Sequence, residues 1–169
     1  MKVNSTRVLE VSAPRLWEGI TGNGHLEVSH PYVHHHLHEE KMCLGAKDTI
    51  IYANGLTFER EFIAWEKGVG YDLRIGRPQG KSRSLVEWRI QSLGPDKSSL
   101  SITVHPDFLK KWPLWLRWIV FRIKASKPLQ NYLEAVTCGI KHWLETDTPV
   151  HRSDFPNHPW FGDTQTLRN

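Results

Sequence analysis

The chain has 169 residues, 39% apolar and 24% charged, which fits one soluble globular domain and excludes a generally disordered chain. Two cysteines, Cys43 and Cys138, exclude a disulfide framework and point to a reducing, cytoplasmic setting. No apolar run nears the ~20 residues that span a bilayer, and the first residues lack the apolar stretch of a secretory signal.

The net charge of +4 is a local property. Leu109 to Lys127 holds Lys110, Lys111, Arg117, Arg122, Lys124 and Lys127 with no acid, leaving 16 basic and 18 acidic residues elsewhere. That is not a surface for wrapping nucleic acid, and nucleic acid is not expected as a partner.

In chain order, a strand is predicted over Val3–Val11. Ser12 or Ala13 caps a short helix that starts near Pro14, where a missing N–H costs nothing, and carries Leu16, Trp17 and Ile20. Gly22-Asn23-Gly24 stops it, and a second short helix or turn covers His25–His30 before Pro31. From Lys47 onward the signals become those of an antiparallel sheet. Asp48–Ala53 and Leu56–Trp65 flank Asn54-Gly55, a strong hairpin signal because its turn positions need positive φ. Tyr71–Ile75, Ser84–Leu93 and Ser99–His105 follow with short polar connections, which makes the sheet an antiparallel meander. Pro113–Lys124 forms a helix. A longer one, Lys127–Glu145, has Ser126 as N-cap and an apolar stripe of Leu129, Tyr132, Leu133, Val136, Ile140, Trp143 and Leu144. The periodicity then ends. We therefore divide the chain into a domain over 1–146 and an irregular tail over 147–169, whose Phe155, Trp160 and Phe161 either fold back as a clasp or reach a partner.

A two-residue Asn54-Gly55 turn sets the expected faces. Thr49, Ile51, Ala53, Leu56, Phe58, Arg60, Phe62 and Ala64 share the apolar face. Asp48, Ile50, Tyr52, Thr57, Glu59, Glu61, Ile63 and Trp65 share the wetter one. Tyr71, Leu73 and Ile75, then Val86, Trp88 and Ile90, then Leu100, Ile102 and Val104 continue the apolar side. Such a sheet needs a helix over it. The space between is either filled by aromatic rings or left as a cavity for an apolar ligand. Arg60 falls on the apolar face, so it pairs with an internal acid, lies near a cavity mouth, or anchors a polar group of a ligand.

The pieces Val-Ser-Ala-Pro-Arg-Leu-Trp at 11–17, Gly-His-Leu-Glu-Val-Ser-His-Pro at 24–31 and Asn-Gly-Leu-Thr-Phe-Glu-Arg-Glu-Phe at 54–62 carry a resemblance. With the element order and the helix ending Trp143-Leu144-Glu145, the chain resembles the START-like (SRPBCC, Bet v 1-like) superfamily, in particular its polyketide cyclase/dehydrase and lipid-transport branch, over residues 3–145. The resemblance implies an α+β helix-grip fold: a curved antiparallel seven-stranded sheet around a long C-terminal helix, two short helices near the N-terminus, and a hydrophobic cavity. It supplies no shared catalytic set. The family often places a Trp where this chain has Ser29-His30-Pro31, so that corner is expected to pack differently.

The expected function is binding, or carriage, of a small hydrophobic or amphipathic, lipid-like ligand in that cavity. Phe58, Phe62, Tyr71, Leu73, Trp88, Ile102, Tyr132 and Val136 supply the walls, and Arg60 the anchor. The alternatives are a cyclase or dehydratase acting on a polyketide-like substrate in the same cavity, and a peripheral membrane module. The last uses residues 110–124, where Trp112, Trp115, Trp118, Arg117 and Arg122 suit an anionic surface. Cavity-facing groups for acid–base work are few: Tyr71, Tyr132, Arg60 and His142. No nucleophile elbow or phosphate loop occurs, and no cofactor is expected. His30, His34, His35, His36 and His38 crowd nine residues, and His34, His36 and His38 share a face if extended. No carboxylate or cysteine other than Glu39 or Glu40 is placed to complete a metal set, so no metal is assigned.

Overall fold

Seven strands, β1 (Val3–Leu9), β2 (Val33–His38), β3 (Lys47–Tyr52), β4 (Thr57–Glu66), β5 (Gly70–Gly76), β6 (Ser84–Gly94) and β7 (Lys97–His105), form one antiparallel sheet in the order β1-β7-β6-β5-β4-β3-β2. The structure, a computed structural model, describes residues 1–38, 41–107 and 113–162, without the side chains of Leu114 and Arg117. Between β1 and β2 run α1 (Ala13–Thr21) and α2 (His25–Ser29); after β7 come α3 (Leu114–Val120) and α4 (Ser126–Thr146). The expected helix-grip arrangement is present, with α4 lying on the sheet face that carries Tyr71, Leu73, Val86, Trp88, Ile90, Leu100, Ile102 and Val104.

Ser12 caps α1 through a hydrogen bond accepted from the Arg15 N–H at 3.3 Å, and Leu16, Trp17 and Ile20 are its buried residues, as the spacing predicts. Along α4, Leu129, Leu133, Val136, Ile140 and Leu144 are buried. Ser5 on β1 meets Thr137 at 3.1 Å, pinning helix to sheet edge. Gly139 presses on the Ser29-His30-Pro31 corner: a Cβ there would stand 2.3 Å from the Ser29 carbonyl oxygen.

Three expectations change. First, Ser126 is no N-cap. A π-turn over Phe121–Ala125 joins α3 to α4, the Ser126 N–H bonds the Phe121 carbonyl, and its hydroxyl donates to the Arg122 carbonyl at 3.0 Å. Pro128 explains the wide turn: it has no N–H for the carbonyl four residues back, and its ring displaces that carbonyl, which belongs to Lys124.

Second, the β3–β4 connection has three residues, Ala53, Asn54 and Gly55, with Gly55 alone at φ +81. Tyr52 therefore pairs with Leu56, Ile50 with Phe58 and Asp48 with Arg60. A one-residue slip exchanges the faces of a strand. Asp48, Ile50 and Tyr52 point inward and are buried, in place of Thr49, Ile51 and Ala53.

Third, a bulge between Phe62 and Ala64 leaves Ile63 and Ala64 exposed and turns Trp65 onto Tyr71, ring centroids 5.4 Å apart. An inserted residue reverses the alternation beyond it.

Candidate functional site

Both expectations for the interior hold, in different halves. At one end Trp17, Phe62, Trp65, Tyr71 and Trp88 fill the space with rings, neighbouring centroids lying 5.2–5.7 Å apart. At the other, sheet and α4 diverge around a cavity of about 700 Å³. This is the range of small-molecule sites. Phe58, Leu73, Ile75, Val86, Trp88, Ile102 and Val104 line it from the sheet, and Leu129, Tyr132, Leu133 and Val136 from α4. Exposed Arg77 and Lys81, from the β5–β6 connection, stand at its rim. Among the described residues no carboxylate lines it, whereas Arg60, Arg77 and Lys81 do.

Seven of the nine expected ligand-binding residues therefore sit on one wall system: Phe58, Arg60, Leu73, Trp88, Ile102, Tyr132 and Val136. Phe62 and Tyr71 do not line the cavity. They belong to the filled end, where Trp65 and Trp17 close on them. Arg60 pairs with an internal acid while still bordering the cavity: Asp48 Oδ1 accepts from its Nε at 2.7 Å, and Oδ2 from its Nη2 at 2.5 Å.

His36 completes this cluster, with Nε2 3.0 Å from both Asp48 Oδ2 and Arg60 Nη2. A protonated Nε2 donates to the carboxylate and leaves only the Nδ1 lone pair without a partner, which costs less than a stranded N–H. Burial pushes the Asp48 carboxyl up, but the His36 hydrogen bond and the Arg60 charge outweigh it and hold it at about 2. His25 lies against His36, ring centroids 5.6 Å apart. Burial first, then the Arg60 charge, lowers His25 and His30 to about 3, so both are neutral.

A second polar group rests on β3 and α4. Tyr132 Oη lies 2.9 Å from His30 Nε2 and 2.7 Å from Tyr52 Oη. Burial raises the Tyr52 phenol to about 12 and Tyr132 well above its ordinary value. The tail folds back here. Phe161 stacks on Tyr52 at 4.4 Å and contacts Tyr132 at 4.7 Å. Asn54 donates to the Trp160 carbonyl, Tyr32 donates to the Pro156 carbonyl, and His158 Nε2 donates to the Pro128 carbonyl. The Trp160 N–H bonds His158 Nδ1, which fixes that tautomer. Trp160 and Phe161 thereby become cavity wall, on the clasp alternative for the tail.

Sequence reasoning missed Asp48, Ile50, Tyr52 and His30. The signal for the first three was Gly55 as the sole left-handed residue of a three-residue loop. His30 was seen only as part of a histidine run. That run is dispersed: His36 is buried, His34 and His35 are exposed with rings 4.2 Å apart, and among the described residues no three ligating side chains converge on a metal position. His142 does not line the cavity.

On α3, Trp115 and Trp118 are 68% and 58% exposed, and Arg122 lies over the Trp118 ring at 5.3 Å. Trp112 and the side chain of Arg117 fall outside the described residues. No described helix is long and apolar enough to cross a membrane.

No protein-family model matches the sequence, and no curated protein matches it. Solved structures do match. MLL2253 from Mesorhizobium loti is 14% identical with a TM-score of 0.66, over 89% of this chain and 100% of that one. Ara h 8.0201 is 13% identical with a TM-score of 0.61, over 85% and 97%. DynU16, a protein of the dynemicin biosynthetic locus, is 16% identical with a TM-score of 0.64, over 88% of this chain and 48% of that one, so this chain spans about half its length. At these identities the likeness shows the fold, and the fold is the START-like, Bet v 1-like helix-grip.

Proposed function

We propose that this protein binds, and carries, a small amphipathic molecule whose apolar skeleton occupies the cavity between sheet and α4. The observation that carries this reading is the cavity itself: about 700 Å³, walled mainly by apolar side chains, with Arg60, Arg77 and Lys81 on its lining and no acid among the described residues. Apolar burial drives entry, and the cations favour a ligand bearing acceptor or anionic oxygens. A reducing, cytoplasmic setting suits the unpaired Cys43 and Cys138. Native mass spectrometry of protein purified from cells, followed by organic extraction, is expected to release one such species. Filling the cavity by Ile102→Trp should then abolish its binding. Ligand-free protein that also takes up no apolar probe would overturn the reading.

The cyclase or dehydratase alternative uses the same walls; the di-domain BexL, an ARO/CYC protein, shares the fold at 10% identity and a TM-score of 0.64, with this chain spanning 47% of it. Conversion of the extracted species by the purified protein decides between carrier and enzyme.

A membrane role has its own observation. Trp115, Trp118, Ile119 and Ile123 are exposed around a helix that carries Arg122 and Lys124 and no acid. Apolar side chains at the interface and cations toward anionic headgroups are how a peripheral helix docks. Co-sedimentation with vesicles containing phosphatidylserine, absent with pure phosphatidylcholine and lost in Trp115→Ala/Trp118→Ala, is the expected result.

A further inference from the structure

The hydrogen atoms of the His30–Tyr132–Tyr52 chain can be counted. The Tyr32 backbone N–H has one hydrogen and donates it to His30 Nδ1 at 3.1 Å, so that nitrogen presents its lone pair. A neutral imidazole then carries its proton on Nε2, which donates to Tyr132 Oη at 2.9 Å. The two phenols share one further bond, 2.7 Å long, in either direction. Three hydrogens are thus available for two bonds. Whichever phenol donates to the other, one O–H is left over, and no described protein acceptor bonds it.

Had His30 held the other tautomer, Tyr132 would donate to the imidazole, Tyr52 to Tyr132, and the chain would close on itself. The Tyr32 N–H opens it. Tyr52 and Tyr132 both line the cavity, and Phe161 packs on both rings. Burial keeps both phenols protonated and His30 neutral, so the spare hydrogen persists across the physiological range.

We propose that Tyr52 and Tyr132 together form a hydrogen-bond donor site in the cavity wall that takes an acceptor oxygen, a ketone, quinone or phenolate on an apolar ring system. This deepens the cavity reading above and rests on it. A buried donor without a partner costs free energy that an acceptor oxygen recovers and a hydrocarbon does not, which makes the site a device for selecting oxygenated ligands.

The test uses two flat tricyclic probes of nearly equal shape, 9-fluorenone and fluorene, titrated against the full chain by protein-observed NMR. The ketone is expected to bind roughly three- to tenfold more tightly, the ordinary worth of one neutral hydrogen bond. Its carbonyl stretch should move to lower frequency when bound. Tyr52→Phe and Tyr132→Phe each leave one phenol with an unused hydrogen, so each single variant keeps the preference. The double variant still presents the His30 Nε2–H that Tyr132 had accepted, since His30 also lines the cavity. The triple variant His30→Leu/Tyr52→Phe/Tyr132→Phe is therefore the one that loses the preference while retaining fluorene affinity, which also reports that it folds. Equal affinity of the wild type for both probes, an unshifted carbonyl stretch, or a preference that survives in the triple variant would overturn the donor site and leave the cavity reading standing. Binding of neither probe would overturn both.

Discussion

Asp48 and Arg60 face one another across the β3–β4 ladder, and the carboxylate accepts two hydrogen bonds from the guanidinium, at 2.7 and 2.5 Å. Both side chains are almost wholly inside the protein, and His36 caps the pair from β2. A lone buried charge is far costlier than a buried pair, so each member holds the other in place.

Removing the acid therefore strands Arg60. Asp48→Ala is expected to cost about 3–5 kcal/mol. Asp48→Leu/Arg60→Met, which withdraws both charges and keeps apolar volume, should cost less than either single change. Urea unfolding of Asp48→Ala, Asp48→Leu, Arg60→Met and the double variant measures this, and additive losses would mean that the pair is not a coupled unit.

Acid should unfold the protein through its neutral histidines. His25 and His30 titrate at 6.5 in the unfolded chain and near 3 in the fold. Between those values the unfolded state binds more protons, so stability is complete above pH 6.5 and falls as pH drops toward 3. Each ring contributes about 1.4 kcal/mol per pH unit in that window. Asp48 adds a further loss as pH falls from its unfolded 3.8 toward about 2. Urea midpoints between pH 7.5 and 4.5 should decline steeply, and less steeply in His25→Gln.

The tail is expected to seal the cavity rather than hang free. Phe161→Ala removes the ring stacked on Tyr52 and against Tyr132. A loss of about 1–3 kcal/mol follows from the vacated contacts. Limited proteolysis should cut near 147–154 faster than in the wild type, and dissociation of a cavity-bound probe should accelerate. Unchanged cleavage would show that Asn54, Tyr32 and His158 hold the tail without it.

Gly139→Ala opposes two effects. Alanine gains about 1 kcal/mol in helix propensity. Its Cβ, however, would lie 2.3 Å from the Ser29 carbonyl oxygen and 3.3 Å from Pro31 Cδ. The clash involves backbone and should win, lowering stability by about 1–3 kcal/mol. A raised thermal midpoint would show that α4 can move off the α2 corner at no cost.

The sheet, its strand order along the chain, the cap at Ser12 and the apolar stripe of α4 were legible in the sequence because each rests on neighbours within a few residues. Alternation and three- and four-residue spacing are local quantities. So was the inward placement of Phe58, Arg60, Leu73, Trp88 and Ile102, since no irregularity interrupts those strands between the turn and the residue concerned.

What depended on a single inserted residue was not legible. One extra loop residue before Leu56 brought Asp48, Ile50 and Tyr52 inward, and one bulge after Phe62 turned Trp65 in. Residue type alone allows either outcome, because a strand offers both faces equally until a partner sets its register. The partners of Arg60 and Tyr132 and the seat of Phe161 were likewise decided only by tertiary packing. Each joins residues 12 to 109 positions apart, where chain connectivity imposes no distance and only the closing of sheet, helix and tail onto one another does.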